Sequence, residues 1–519
     1  MKKPLSERQP TQNNRLMKIT IMDTTLRDGE QTSGVSFTAA EKLNMARLLL
    51  EELKVDRIEV ASARVSEGEY KGAEEIFRWA GKNGYLDRVE VLGFVDGDAS
   101  LDWIKNAGGK VINLLTKGSR NHCENQLRKT PEQHVADIKN SLKLAREKGI
   151  HANIYFEDWS NGMRHSPDYV YFMLDSLKDE SIDHYMLPDT LGILNHQETY
   201  DYCLDIKTRY PGLTFDYHAH NDYDLATANV FSAIRAGISG IHTTVNGLGE
   251  RAGNVPLSSV IGIVEDHFKY EMSVDTTKLY SVSKFIETFS GVRIPANKPL
   301  IGENVFTQTS GIHADGDQKD NLYFNDLMPE RFGRKRAYAL GKMSGKASIM
   351  KNLEELGIEL SKEEMKKVTQ RVIELGDKKE VVTQDDLPFI ISDVLRGERV
   401  KEKIKVRNYS LSVAAGLRSM ATLSVEIDKQ VYEATASGDG QYDAFMKALW
   451  KIYERLEKKR PVLVDYNVTI PPGGKTDALV VCTITWDHEG KIFKTRGLDS
   501  DQTVAAIKGT TRMLNIING

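Results

Sequence analysis

His218 and His220 stand two residues apart in HAHND at 218–222. On an extended strand residues i and i+2 point the same way, so both imidazoles would face one side together. Two imidazoles on one face make a chelate for a first-row divalent ion. A third ligand is available in DTTLRDGEQTSG at 23–34, where Asp28 follows Arg27 on a glycine turn. A nitrogen–oxygen set with open positions suits Zn2+, Mn2+ or Mg2+ holding a substrate through two oxygens. The plainer alternative is a pair of histidines hydrogen-bonded in a polar rim. Arg27 is either a salt-bridge partner of Asp28 or the cation that pairs with a carboxylate or an oxyanion near the metal, which its planar fork suits. Glu157, in IYFEDWSNG at 154–162, is either a general base or a group that orients something else.

These residues lie far apart in the chain and need a scaffold that gathers them. Short apolar runs occur at KITIM 18–22, DRIEV 56–60, VEVLGF 89–94, KVINLL 110–115, HANIYF 151–156, DHYML 183–187, LTFDYH 213–218 and GIHTTV 240–245, with helical patterns between them. Eight strands alternating with amphipathic helices predict an α/β fold, a (β/α)8 TIM barrel, whose strand ends feed one active face. An open doubly wound sheet would carry a glycine-rich phosphate loop after its first strand, and DTTLRDGE is not one. The barrel reading collects Arg27, Asp28, Glu59, Tyr155, Glu157, Asp189, Thr190, His218, His220, Asn246 and Asn254 at six strand ends. Thr38 and Glu41 form a capping-box signature that starts the first helix.

The 519 residues are too many for one core and imply two to four domains. With 28% charged residues and a formal net charge of −4, the chain has no strong electrostatic pull toward nucleic acid or an anionic membrane. No apolar run is long enough to span a bilayer. Residues 1–16 read as a disordered tail, lacking the apolar stretch of a secretory signal. Three cysteines without a C-x-x-C pair fit a reducing cytoplasm. The barrel domain is expected over 17–275 and a mostly helical linker over 276–402. In 403–519, VYEATASGDGQYDAFMKAL from Val431 aligns without gaps with IFKTRGLDSDQTVAAIKGT from Ile492. That repeat predicts two β-β-α-like units in a pseudo-symmetric α+β domain, of a binding or regulatory kind. GKMSGKAS at 341–348 lacks the Walker spacing. GRKRAY at 333–338 is either a solvated basic face or a contact for the phosphates of a nucleotide-bearing cofactor.

DTTLRDGEQ, HAHND, NGLGERAGN and GIHADG resemble the signature segments of the acetyl-CoA-dependent synthases that make 2-isopropylmalate, homocitrate and citramalate. The resemblance runs from about 18 to 517. It implies that Asp28, His218, His220 and Asn254 ligate the divalent metal, and that Thr190 and Arg27 hold the polar end of a keto acid. Glu157 is the implied base, helped or replaced by His313 with Asp315, and Asn321, Leu322 and Tyr323 would contact acetyl-CoA. Asp23 would be a supporting or capping acid, and Glu30 and Gln31 would orient Arg27 or the substrate. Leu92, Leu115 and Tyr155 would line the side-chain pocket, which suits the methyl of pyruvate. The product would then be citramalate, feeding isoleucine synthesis, with 2-oxoisovalerate and 2-isopropylmalate as the alternative. A metal-dependent C–C lyase of the same barrel type is the further alternative. A homodimer is implied. Isoleucine is the expected inhibitor, bound near Tyr442, Leu463, Tyr466 and Val480.

Overall fold

The structure, a computed structural model, describes residues 17–309, 325–356 apart from 343, 358–377, single positions between 382 and 394, 403–469 and 480–518. The expected tail 1–16 lies outside them. Two compact units are distinguished, Met1–Thr307 with Phe324–Ala337, and Gln308–Tyr323 with Tyr338–Gly519.

The first unit holds β1 (Thr20–Asp23), β2 (Arg57–Ser62), β3 (Val89–Phe94), β4 (Val111–Lys117), β5 (His151–Glu157), β6 (Tyr185–Asp189), β7 (Phe215–Ala219) and β8 (Gly240–Thr243). They pair in parallel in sequence order, and β8 closes onto β1 through Thr20 opposite Gly240. Every apolar run singled out above becomes a strand, with its bounds moved by no more than a residue or two. The helix Ala39–Arg47 opens with the expected box, Thr38 capping the Glu41 N–H and Glu41 returning to the Thr38 N–H.

Inward positions alternate along the strands. On β4 and β5 they form three facing rungs: Asn113 opposite Asn153, Leu115 opposite Tyr155, and Lys117 opposite Glu157. The lower rung is hydrogen-bonded, Asn153 Nδ2 donating to Asn113 Oδ1 at 2.8 Å. At the N-terminal end of the barrel Asp216, wholly buried, receives the Arg57 guanidinium, His184 Nδ1 at 3.0 Å and His242 Nε2 at 3.2 Å. Arg57 also donates to Glu90 Oε1 at 2.8 Å. Burial pushes the Asp216 carboxyl up, but Arg57 and then the two imidazoles hold it well below the usual carboxylate range.

In the second unit, the helices Lys346–Leu356 and Lys362–Asp377 pack through Ile349, Leu353, Met365, Val368 and Val372. The C-terminal repeat is larger than its sequence signature. Strands Ile404–Ser412, Ser419–Ile427 and Gln430–Gly438 precede the helix Gln441–Arg455, and Val462–Thr469, Val480–His488 and Lys491–Asp499 precede the helix Gln502–Ile517. Each unit is therefore β-β-β-α. The added strands stand at sheet edges and are mostly exposed, so they lack the apolar alternation that marks a half-buried strand. Among the described residues no helix is long and apolar enough to cross a membrane.

Removing one member of a buried charge network leaves the others uncompensated. Asp216→Asn should cost about 3–5 kcal/mol of stability, read as an earlier thermal unfolding transition by circular dichroism. An unchanged transition would mean that the cluster does not brace the barrel.

Candidate active site

The turn after β1 is drawn tight by the Thr24 carbonyl, which accepts from the N–H groups of Asp28 at 2.9 Å and Gly29 at 3.0 Å. It brings Asp28 to the C-terminal mouth of the barrel. Strand β7 presents Asp216 and His218 on alternating positions and His220 follows just past its end, bridged to Asn254, so the two imidazoles rise toward the mouth above the buried acid. His218 Nε2 lies 3.4 Å, and His220 Nε2 3.8 Å, from Asp28 Oδ2. The ligand atoms of the three side chains all lie within 4.8 Å of one another, and all three are buried. Asn254 donates Nδ2 to the other Asp28 oxygen at 3.0 Å, while its own Oδ1 is buried with no hydrogen-bond partner.

Burial moves the Asp28 carboxyl up, but Arg27, then His218 and His220, hold it below the ordinary range. Burial pushes His218 well down and His220 down against the pull of Asp28. An ionised carboxylate and two neutral imidazoles are the protonation states that ligation requires. With the orphaned Asn254 oxygen beside them, the donors present fit a divalent cation.

Arg27 is fixed from two sides, Nε donating to Glu59 Oε2 at 2.6 Å and Nη1 to Asp28 Oδ2 at 2.9 Å. Glu59 is fully buried and also accepts from Thr24 Oγ1 at 2.8 Å and Asn113 Nδ2 at 2.7 Å. The guanidinium carbon stands 5.9 Å from the centre of the Tyr155 ring. Asp23 caps no helix among the described residues: it accepts from the Thr25 N–H at 3.0 Å and from Thr243 Oγ1 at 3.4 Å, and burial pushes its pKa up to about 6. Glu30 does not orient Arg27. Its carboxylate pairs with buried Lys42 at 2.7 Å and accepts from the Phe37 N–H at 2.7 Å. Gln31 is exposed.

Leu92, Leu115 and Tyr155 come together in one apolar cluster. Met22 and Met186 join it, and no pattern around them in the sequence had marked them. Thr190 Oγ1 accepts from the Asp158 N–H at 2.9 Å. Arg251, within GLGERAGN, grips both oxygens of Asp222 at 2.8 and 3.0 Å and the Thr190 carbonyl at 2.9 Å. It thereby ties together the loops that follow β6, β7 and β8. Glu157 is ion-paired with Lys117, which the sequence reading did not single out. Counting by twos from Leu115 would have found it. His313, Asp315, Asn321, Leu322 and Tyr323 lie outside the described residues.

In the second unit, Tyr442, Leu463 and Tyr466 line a cavity of about 490 Å3 with Trp450 and Trp486. Val480 is buried but is not among its lining residues.

A family model described as HMGL-like matches residues 18–286, one described as homocitrate synthase post-HMGL domain-like matches 300–380, and the LeuA allosteric (dimerisation) domain matches 381–518. The chain is 32% identical over 505 residues to a Methanocaldococcus jannaschii protein named (R)-citramalate synthase CimA, covering 96% of this chain and 100% of that one. It is 32% identical over 512 residues to the 2-isopropylmalate synthase of the same organism, covering 96% and 95%. The Pyrococcus furiosus 2-isopropylmalate synthase is 32% identical over 514 residues, covering 96% and 99%.

His218→Ala removes one of the donors. Its affinity for Mn2+ or Zn2+ should fall by more than the roughly 10–100-fold typical of losing a group that only supports a ligand. Titration followed by metal analysis after dialysis reads this, and undiminished binding would sink the assignment.

Proposed function

Because the chain belongs to the HMGL-like family, we propose that it condenses acetyl-CoA with pyruvate and water to give (R)-citramalate and CoA. The observation that carries this reading is the joint arrangement of Asp28, His218 and His220 beside a buried Arg27, over an apolar wall of Leu92, Leu115 and Tyr155. Such a site presents a cation and a metal-binding set to one end of a small keto acid and apolar groups to the other. Leu92 and Tyr155 are 7% and 5% exposed. A wall this full favours a methyl over an isopropyl group, since a pocket excludes a larger substrate by clash more sharply than a smaller one.

When bound at Asp28, His218, His220 and Asn254, Zn2+, Mn2+ or Mg2+ supplies Lewis acidity toward the keto oxygen. Arg27 and the Thr190 hydroxyl hold the polar end of the keto acid. Glu157 takes a proton from the acetyl methyl group, with His313 and Asp315 as the alternative or helping base. The electron pair of that C–H bond becomes the enolate, which forms the new C–C bond at the keto carbon. Arg27 faces the developing alkoxide and needs no reorganisation to do so, because Glu59 already fixes it. Water then cleaves the thioester and releases CoA. Residues 276–402 contribute Asn321, Leu322 and Tyr323 to acetyl-CoA binding. Residues 403–519 form the dimerising domain, and the Tyr442–Leu463–Tyr466 cavity takes the inhibitor isoleucine.

Relatives at the same identity named 2-isopropylmalate synthase favour a second reading, with 2-oxoisovalerate as acceptor. Release of free CoA thiol, followed with Mn2+ present and either keto acid offered, separates the two. Pyruvate should be preferred by at least tenfold in kcat/KM, roughly the selectivity that one or two methylenes can carry. A preference for 2-oxoisovalerate would replace the first reading with the second. Arg27→Ala should abolish thiol release with either acid while metal content is kept. Turnover that survived it would remove Arg27 from the mechanism.

A further inference from the structure

The upper rung of the β4–β5 pair is unlike the two beneath it. Lys117 and Glu157 face each other at the ends of adjacent strands and form an ion pair. The lysine is desolvated, with its side chain 8% exposed, whereas the Glu157 side chain is 25% exposed at the barrel mouth. Among the described residues Glu157 is the one carboxylate within ion-pair distance of Lys117. A surface pair would contribute little to stability, and burying an ammonium costs free energy. The pair is therefore poorly explained as a brace for the fold.

The surrounding backbone is held on both strands. The Lys117 N–H donates to His134 Nε2 at 3.1 Å, and the Lys117 carbonyl accepts from Tyr169 Oη at 3.0 Å. His134 can accept because burial pushes its pKa down to about 4 and keeps the ring neutral. The Gly118 N–H donates to the Glu157 carbonyl at 2.6 Å. A β-carbon on Gly118 would stand 2.5 Å from the Phe156 carbonyl oxygen, so only glycine permits this approach. Asp158, directly after Glu157, adopts the left-handed conformation at φ 66°, uncommon for a residue other than glycine. It is held there by its N–H on Thr190 Oγ1 and by its carboxylate, which accepts from Ser119 Oγ at 2.6 Å and Asn161 Nδ2 at 2.7 Å. A strained residue so thoroughly restrained is a mark of functional positioning.

The geometry points to Lys117 as a positioning residue, which holds the Glu157 carboxylate in place at the mouth for proton abstraction from the thioester. This rests on the reading of Glu157 as the base. The methyl proton passes to a Glu157 oxygen and the C–H electron pair passes to the enolate.

The test uses the full-length protein with Mn2+ and compares Lys117→Met, Lys117→Arg and Glu157→Gln, each checked for an unchanged circular dichroism spectrum. In Lys117→Met, kcat should fall at least tenfold, with the KM for the keto acid within about threefold of the parent. The primary isotope effect with trideuteroacetyl-CoA should rise, because proton abstraction becomes slower than the later steps. Lys117→Arg should recover much of kcat. A purely structural role would leave the isotope effect unmoved. If Glu157→Gln is inactive while Lys117→Met keeps parental kcat and isotope effect, the role given to Lys117 is overturned and Glu157 stands as base. If Glu157→Gln itself turns over at the parental rate, the base assignment fails and Lys117 falls with it.

Discussion

One carboxylate organises the mouth of this barrel. Asp28 is almost completely buried, and a buried charge persists only when other charges and hydrogen bonds compensate it. Its Oδ2 meets Arg27 and faces two imidazoles, and its Oδ1 takes the Asn254 amide. The compensation extends downward, because Arg27, buried in turn, needs Glu59, and Glu59 is supported by Asn113 and then Asn153. Side chains on β2, β4, β5 and β7, with the turn after β1 and the loop after β8, are thus parts of one polar web. Preorganisation of this kind fixes dipoles and charges before any substrate arrives, so little reorganisation remains for the reaction itself.

Much of this was legible in the sequence, for identifiable reasons. The eight strands were readable because each barrel strand is buried on both faces and so appears as an apolar run bounded by helical pattern. HAHND and DTTLRDGEQ were readable because their residue types are costly in a strand end unless they bind something. The Arg27 alternative for Glu30 fails because proximity in sequence says nothing about direction, and buried Lys42 draws its carboxylate away. Lys117, at a strand end, and Arg251, in the loop after β8, were missed because a single lysine or arginine has no local signature. Their meaning comes only from partners on other strands, Glu157 for one and Asp222 for the other. Met22 and Met186 are apolar residues in apolar runs, and only closure of the barrel brings them against Leu92, Leu115 and Tyr155.

The C-terminal repeat teaches the complementary lesson. Its duplicated strand–turn–helix was visible because buried positions recur at matching places, Ala444 with Ala505 among them. The edge strands Ile404–Ser412 and Val462–Thr469 bury little and left no apolar rhythm to detect. Sequence pattern records burial, and elements that are ordered mainly by backbone hydrogen bonds leave a fainter trace.

The cluster of Arg57, Asp216, Glu90, His184 and His242 has a consequence for traffic. Charged groups packed at the N-terminal end, with Asp216 and Glu90 scarcely exposed, stopper that end of the barrel. A vessel stoppered at its base has a single door. Among the described residues, whatever reaches the methionines beneath Asp28 and the imidazoles passes the rim first.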